Sequence, residues 1–260
     1  MKILIIRSQN PFYESSASGN RYAGLIDGLL KLGVNITLVV TGGYNHPKEY
    51  NKKRVQSYHT NLNVKYTIFT FNHSIWLRRL NTYILSGLHR ILSNIQLTRL
   101  FKSDFDFIWL TKNSNILDAF INNQIKIKGK IFIELNEFND FYKEEGQIGN
   151  ALQLRKAEIE NKNLMNAVSK IDLFAVMTKT LINHFKRMAK PDARFLHLPM
   201  TVDLSRFMTL IGNPNTYKKP YIAFSGTYTN VKDGVDILIH AFAQIVNDFP
   251  DYHLYLAGFY

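Results

Sequence analysis

Short, continuous apolar runs separated by stretches of helical periodicity constrain this chain more than any other feature. Ile3–Ile6 is apolar throughout and is closed by Arg7. Leu25, Ile26, Leu29, Leu30 and Leu32 then form one helical stripe, and Gly33 stands where a helix ends in a left-handed residue. Val34–Val40 follows as a run rich in β-branched residues. Strand, helix and strand at this spacing predict βαβ units, and therefore a parallel α/β sheet with helices on both faces. The runs are continuous rather than alternating, as strands buried on both sides require. Strands are predicted at 2–7, 34–41, 64–71, 106–111, 130–135, 172–177 and 195–199.

The pattern breaks between Met208 and Lys219, where Gly212-Asn213-Pro214-Asn215 reads as a linker. Tyr221–Gly226 restarts with a strand. Val235, Leu238, Phe242, Ile245 and Phe249 follow at helical spacing, Pro250 ends that helix, and His253–Ala257 is a second strand. The expected organisation is a Rossmann-like domain over 1–211, a linker over 212–219 and one βαβ unit over 220–260. A unit of 41 residues is at the limit of what buries a core alone, so the sequence is expected to stop inside a second domain.

The net charge of +12 is unevenly placed. Residues 1–133 hold 18 Lys+Arg and 6 Asp+Glu, whereas 134–260 hold 14 of each. Residues 50–103 carry nine basic residues and no acidic one. This is either a solvated basic face or a surface for an anionic partner: nucleic acid, lipid headgroups or a phosphorylated substrate. Within it, 75–101 is amphipathic, with Trp76, Leu77, Leu80, Ile84, Leu88, Ile91, Leu92 and Ile95 largely on one face. A core-facing surface helix is the favoured reading, and an interfacial helix on an anionic membrane the alternative. The longest stretch there free of charge or His is nine residues, far short of the ~20 that span a bilayer.

Several chemistries are excluded. The chain has no cysteine, hence no disulfide scaffold, thiolate zinc site or cysteine nucleophile, which favours a reducing, cytoplasmic compartment. The loop after the first strand has no glycine until Gly19, so no dinucleotide fingerprint is present. Gly226 and Lys232 are separated by five residues and Lys232 precedes Asp233, so no Walker A loop is present. Asp104-Phe105-Asp106 has the form of a metal-binding D-x-D pair but precedes a strand, whereas ligands in such sheets bind at the carboxyl ends. No His spacing suits a metal, and no G-x-S-x-G elbow occurs. Two predicted helix starts, Ser18-Gly19-Asn20 and Lys232-Asp233-Gly234, could receive an anionic or hydroxylated ligand or could be plain caps, the second by Asp233.

These residues carry a resemblance. Tyr221–Gly226, Lys232–Ala243, Phe249-Pro250 and His253–Gly258 resemble the start of the donor domain of family 4 glycosyltransferases, retaining enzymes of the two-domain GT-B fold. Leu198–Asp203 with Phe207 resembles that family's P-N-G-V-D-x-x-x-F segment, and Ile171–Thr178 its strand ending near the cleft. The likeness is specific from about residue 172 onward. It implies sugar transfer from a nucleotide-diphosphate sugar to a glycan or lipid-linked acceptor, with no metal or cofactor. It places Gly226, Thr227, Lys232 and Gly234 at the donor diphosphate, and Gly19, Asn20 and Arg21 on an acceptor-side loop. A lysine aimed at the leaving nucleotide would stabilise its growing charge. Thr227 stands where the family often has Arg, and Asn136, beside Glu137, stands where a His is common. Asn136 and Glu137 are thus the catalytic candidates, although Asn is no general base. The family's pair of glutamates has no counterpart up to Tyr260, so these residues alone are expected to be inactive.

The basic half suits a phosphate-bearing lipid or the inner face of an anionic membrane, which makes peripheral attachment the expectation. Two rival readings remain. A nucleic-acid binder explains 50–103 but nothing after 134 and has no recognised module, so no nucleic acid is expected as partner. A catalytically silent relative that only binds nucleotide sugar fits the Arg and His departures.

Overall fold

A computed structural model describes residues 1–14, 16–41, 60–66, 86–124, 127–137, 151–202, 204, 219–227 and 234–259. The chain divides into two compact units, Met1–Asp203 and Leu204–Tyr260. The first runs β1 (Lys2–Arg7), α1 (Ala17–Lys31), β2 (Asn35–Val40), β3 (Leu62–Tyr66), α2 (Ser86–Phe101), β4 (Phe107–Leu110), α3 (Ser114–Asn123), β5 (Lys130–Leu135), α4 (Ala151–Val168), β6 (Leu173–Val176), α5 (Lys179–Lys186) and β7 (Arg194–His197). Its strands form one sheet in the order β3-β2-β1-β4-β5-β6-β7, with every pair parallel. The second unit contributes β8 (Tyr221–Thr227), α6 (Val235–Ile245) and β9 (His253–Phe259). Its two strands are parallel, in register from Tyr221↔His253 to Thr227↔Phe259.

Each predicted strand has a counterpart: 2–7 and 130–135 match in full, 34–41, 106–111 and 172–177 are shorter by one residue at each end, and 195–199 is shifted to 194–197. The one expected at 64–71 is β3, which starts two residues earlier, and 67–71 lie outside the described residues. The expected linker, 212–219, also lies outside them except for Lys219.

β1 shows why continuous apolar runs were needed. Leu4 and Ile6 point into a core shared with Phe101, Phe120, Phe174 and Phe185. Ile3 and Ile5 point the other way, against Tyr22, Ile26 and Trp109. Adjacent strand residues face opposite sides, so helices on both faces demand apolar residues at every position. Each fully buried aliphatic contributes about 1.5–3 kcal/mol. Helix α1 covers the second face, and α2, α3, α4 and α5 supply residues to the first.

Local polar groups start and stop these elements. Ser16, Asn113 and Thr178 cap α1, α3 and α5 by accepting backbone N–H bonds. Gly33, at φ +75°, ends the turn after α1 as its place in the sequence predicts. At the amino edge of the sheet, Asp106 accepts from Lys2 N–H at 2.7 Å and Asp172 from Ile131 N–H at 2.6 Å. Asp106 therefore ties β4 to β1 at the edge away from the strands' carboxyl ends. Of the D-x-D pair, Asp106 thus has a structural partner, and Asp104 is exposed.

Helix α2 departs from the favoured core-facing reading. Leu97 and Phe101 face the core, but Ile91, Leu92 and Ile95 are 59%, 44% and 45% exposed. The helix spends its C-terminal turn on the core and leaves this part of its stripe in solvent. The portion of the stripe before Ser86 lies outside the described residues. Among the described residues no helix is long and apolar enough to cross a membrane.

Candidate functional site

Parallel strands end at the same edge, and the winding reverses at β1, which lies between β2 and β4. Such a switch point opens a crevice beyond the carboxyl ends of the strands. A cavity of about 450 Å³ lies there, in the size range of small-molecule sites. Its wall is built from the ends of β1 (Arg7, Ser8), β4 (Thr111, Lys112, Asn113) and β5 (Glu134, Asn136, Glu137). Glu14, Ser18, Tyr22 and Glu160 complete it.

Two ion pairs shape the floor. Arg7 Nη2 donates to Glu14 Oε2 at 2.9 Å, with side-chain exposures of 8% and 16%. The Arg7 guanidinium also lies over the Tyr22 ring, 3.6 Å from its centroid. Tyr22 in turn stacks on Trp109 at 5.1 Å. Burial, followed by the negative charge of Glu134, pushes the Tyr22 phenol well above its usual range, so it stays neutral. The second pair joins Arg21 Nε to Glu134 Oε1, each side chain 1% exposed. Arg21 uses its remaining nitrogens on the chain after β7: Nη1 donates to Pro199 O at 2.7 Å and Thr201 Oγ1 at 3.2 Å, and Nη2 to Leu198 O at 3.0 Å.

Some polar atoms on this floor have no hydrogen-bond partner among the described residues. They are Nε and Nη1 of Arg7, Oε2 of Glu134 and Oδ1 of Asn136, all out of contact with solvent. Buried polar atoms are nearly always satisfied, so these unpaired atoms beside one cavity set this region apart from the rest of the core.

The structure distributes the sequence candidates unevenly. Asn136 and Glu137 both line the cavity, half-buried and exposed respectively. Gly19, Asn20 and Arg21 are not on a loop, because α1 starts at Ala17 under the Ser16 cap. Gly19 packs where any Cβ would meet Glu14 Cβ and Cγ at 2.6 and 2.8 Å. Asn20 points to solvent, and Arg21 is buried in its clamp. Gly226 and Thr227 end β8, in the second unit. Gly234 is the residue that precedes α6, at φ +60° and with no side-chain cap, so the cap is not Asp233. Lys232 and Asp233 lie outside the described residues. Among the described residues no cluster of three or more His, Asp or Glu could hold a metal ion.

Arg7, Tyr22, Lys112 and Glu134 were not singled out by the sequence. A usable signal existed for two of them: Arg7 closes one apolar run and Glu134 interrupts another, and charges in such strands are rarely buried without a partner.

No protein-family model and no curated protein matches this sequence. Solved structures do match in fold. Sucrose-phosphate synthase from Thermosynechococcus elongatus aligns with a TM-score of 0.63 at 11% identity, covering 98% of this chain and 62% of the synthase. HepE from Anabaena, in complex with UDP-glucose, aligns at 0.55 and 13% identity, covering 100% of this chain and 61% of its own. UDP-GlcNAc 2-epimerase from Methanocaldococcus jannaschii aligns at 0.53 and 12% identity, covering 98% and 65%. The chain thus spans less than two thirds of each of these three proteins. The fold is of the GT-B type: a Rossmann-like parallel sheet domain followed by a βαβ unit of a second. The lipopolysaccharide outer core galactosyltransferase WaaB also matches in fold, with a TM-score of 0.53 at 11% identity, covering 100% of this chain and 61% of its own.

Proposed function

We propose that this chain is the acceptor-side domain and the opening of the donor domain of a retaining glycosyltransferase, one that moves a sugar from a nucleotide-diphosphate donor to a glycan or lipid-linked acceptor. The observation that carries the reading is the polar cavity at the β1/β4/β5 switch point of a GT-B fold. Asn136 and Glu137 line this cavity, which supports a role for them in orienting an acceptor hydroxyl. Gly226, Thr227, Lys232 and Gly234 are assigned to the donor diphosphate, where a lysine and a helix start would stabilise the leaving nucleotide. Gly19 and Arg21 serve the acceptor side indirectly, by packing α1 against the cavity wall. The test is turnover by the protein that carries this chain, using a panel of UDP- and GDP-sugars and stereochemical analysis of the product. Release of an inverted glycoside, or of no glycoside, rejects the reading.

The match to an epimerase supports one second reading, interconversion of a free nucleotide sugar. Incubating UDP-sugars without any acceptor separates the two, because only an epimerase changes the donor's configuration there. A lipid-facing role for the first unit is supported by the exposed Ile91, Leu92 and Ile95 of α2 and by the basic stretch 50–103. Sedimentation with anionic and with neutral vesicles tests it, and indifference to lipid charge rejects it.

A further inference from the structure

The stretch that follows β7 is held in place by one side chain. Leu198 N–H still donates to Val176 O at 2.9 Å, which continues the pairing of β6 and β7. Beyond it Pro199, Met200, Thr201 and Val202 are all exposed, so apolar burial does not fix them. Among the described residues, every hydrogen bond made by Pro199 and Thr201 comes from Arg21. Leu198 O accepts from Arg21 as well. These residues lead on in sequence to the second unit, which begins at Leu204.

The chemistry of the clamp calls for arginine. A guanidinium is planar, always charged, and carries five N–H donors in a fixed fork. Nε is spent on Glu134, whose charge neutralises the group and orients it. Nη2 and Nη1 are then aimed at Leu198 O, Pro199 O and Thr201 Oγ1, at 3.0, 2.7 and 3.2 Å. A lysine keeps a charge for Glu134, but its single ammonium does not reproduce the fork. Glu134 stands at the end of β5, and Leu135, Asn136 and Glu137 after it line the cavity. The clamp thus ties the cavity wall to the chain that leaves the first unit.

We infer that Arg21 is a positioning residue that holds 198–201 against the end of β5 and so sets the point from which the chain runs on to the second unit. It acts through that segment and touches no substrate. The inference rests on the glycosyltransferase reading, in which groups from both units must meet for transfer.

The test uses the protein that carries this chain, with any cysteine outside these 260 residues replaced by serine; within them there is none. A nitroxide label is placed at Val202→Cys, and at Ile95→Cys on α2 as the control. Arg21→Lys should narrow the spectral lines of the label at 202, which reports a freer segment, and leave those at 95 unchanged. Thr201→Val removes one of the three bonds at an exposed residue, keeps the fold, and should narrow the lines at 202 to a smaller extent. In the turnover assay Arg21→Lys should lower kcat by up to about a hundredfold, the effect of a small misplacement, with KM for donor and acceptor within about twofold. Native line shapes at 202 in both variants overturn the inference. So does equal narrowing at 202 and 95, or a KM that rises while kcat holds. Where Arg21→Lys does not fold, Thr201→Val decides alone. A native protein that transfers no sugar removes the proposed activity, and the label at 202 then decides whether Arg21 holds the segment.

Discussion

Arg21 and Glu134, 113 positions apart, form an ion pair whose two side chains are each 1% exposed. The pair joins the first turns of α1 to the carboxyl end of β5, and the same guanidinium holds Leu198, Pro199 and Thr201. One side chain therefore fixes three separate parts of the cavity's surroundings. Cutting either partner leaves a charge buried and alone. Arg21→Met and Glu134→Leu should each cost about 3–5 kcal/mol in urea unfolding, and the double variant much less than the sum. Additive losses would show that the two residues are not energetically coupled.

Tyr22 gives a pH dependence with a definite sign. Its folded-state pKa is raised, chiefly by burial. The folded protein therefore holds the phenol proton more tightly than the unfolded chain. The contribution is fully present below the unfolded value near pH ~10 and is lost as pH rises through the folded one, at roughly 1.4 kcal/mol per pH unit. Denaturation series at pH 9 to 11 should show this slope in the native protein and a shallower one in Tyr22→Phe. Parallel curves would contradict it.

Two glycines on α1 should respond oppositely to alanine. Nothing lies within 4 Å of a Cβ at Gly28. Gly28→Ala should stabilise the protein by about 0.5–1 kcal/mol, since a helix-interior glycine costs that much. At Gly19 a Cβ would collide with the backbone oxygen of Glu14 at 2.8 Å as well as with its side chain. Gly19→Ala should cost about 1–3 kcal/mol and displace Glu14 from Arg7. Thermal melts of the two variants give the comparison, and the same sign for both would refute it.

In the second unit Gly226 and Gly258 face each other across β8 and β9. A Cβ at Gly258 would fall 1.7 Å from Gly226 O, whereas one at Gly226 meets only the Phe224 ring, at 2.8 Å. Backbone cannot yield as a ring can. Gly258→Ala should break the strand pair and speed amide exchange over 221–227, while Gly226→Ala keeps the fold. If Gly226 serves the donor diphosphate as proposed, Gly226→Ala also weakens nucleotide-sugar binding. Slow exchange in Gly258→Ala would sink the packing argument.

Much of the fold was legible because burial on two faces leaves a mark in every residue of a strand. The runs at 2–7, 34–41 and 130–135 became β1, β2 and β5 within a residue or so. Helix starts were less legible. Ser16 caps α1 through Gly19 N–H at 3.0 Å, which moves Gly19, Asn20 and Arg21 from the expected loop into the helix. A cap depends on which of several Ser and Asn residues closes the bond, and Ser15, Ser16 and Ser18 compete in sequence. The stripe on α2 was visible too, but not that Leu97 and Phe101 would take the core while Ile91, Leu92 and Ile95 stayed outside.

The sequence by itself determined that this chain forms a parallel α/β sheet, whereas Asn136 and Glu137 became candidates through the family resemblance, Asn136 standing where a His is common. Periodicity is a local property, so nearby residues suffice to express it. Only the tertiary structure decided the site. Strand order brings the ends of β1, β4 and β5 together, although Arg7, Thr111 and Glu134 are far apart in the chain. It also decided which charges are spent and which remain. Arg21 is consumed by Glu134, and Arg7 keeps free donors. Pairing of this kind depends on distance in space, which a net charge of +12 does not contain.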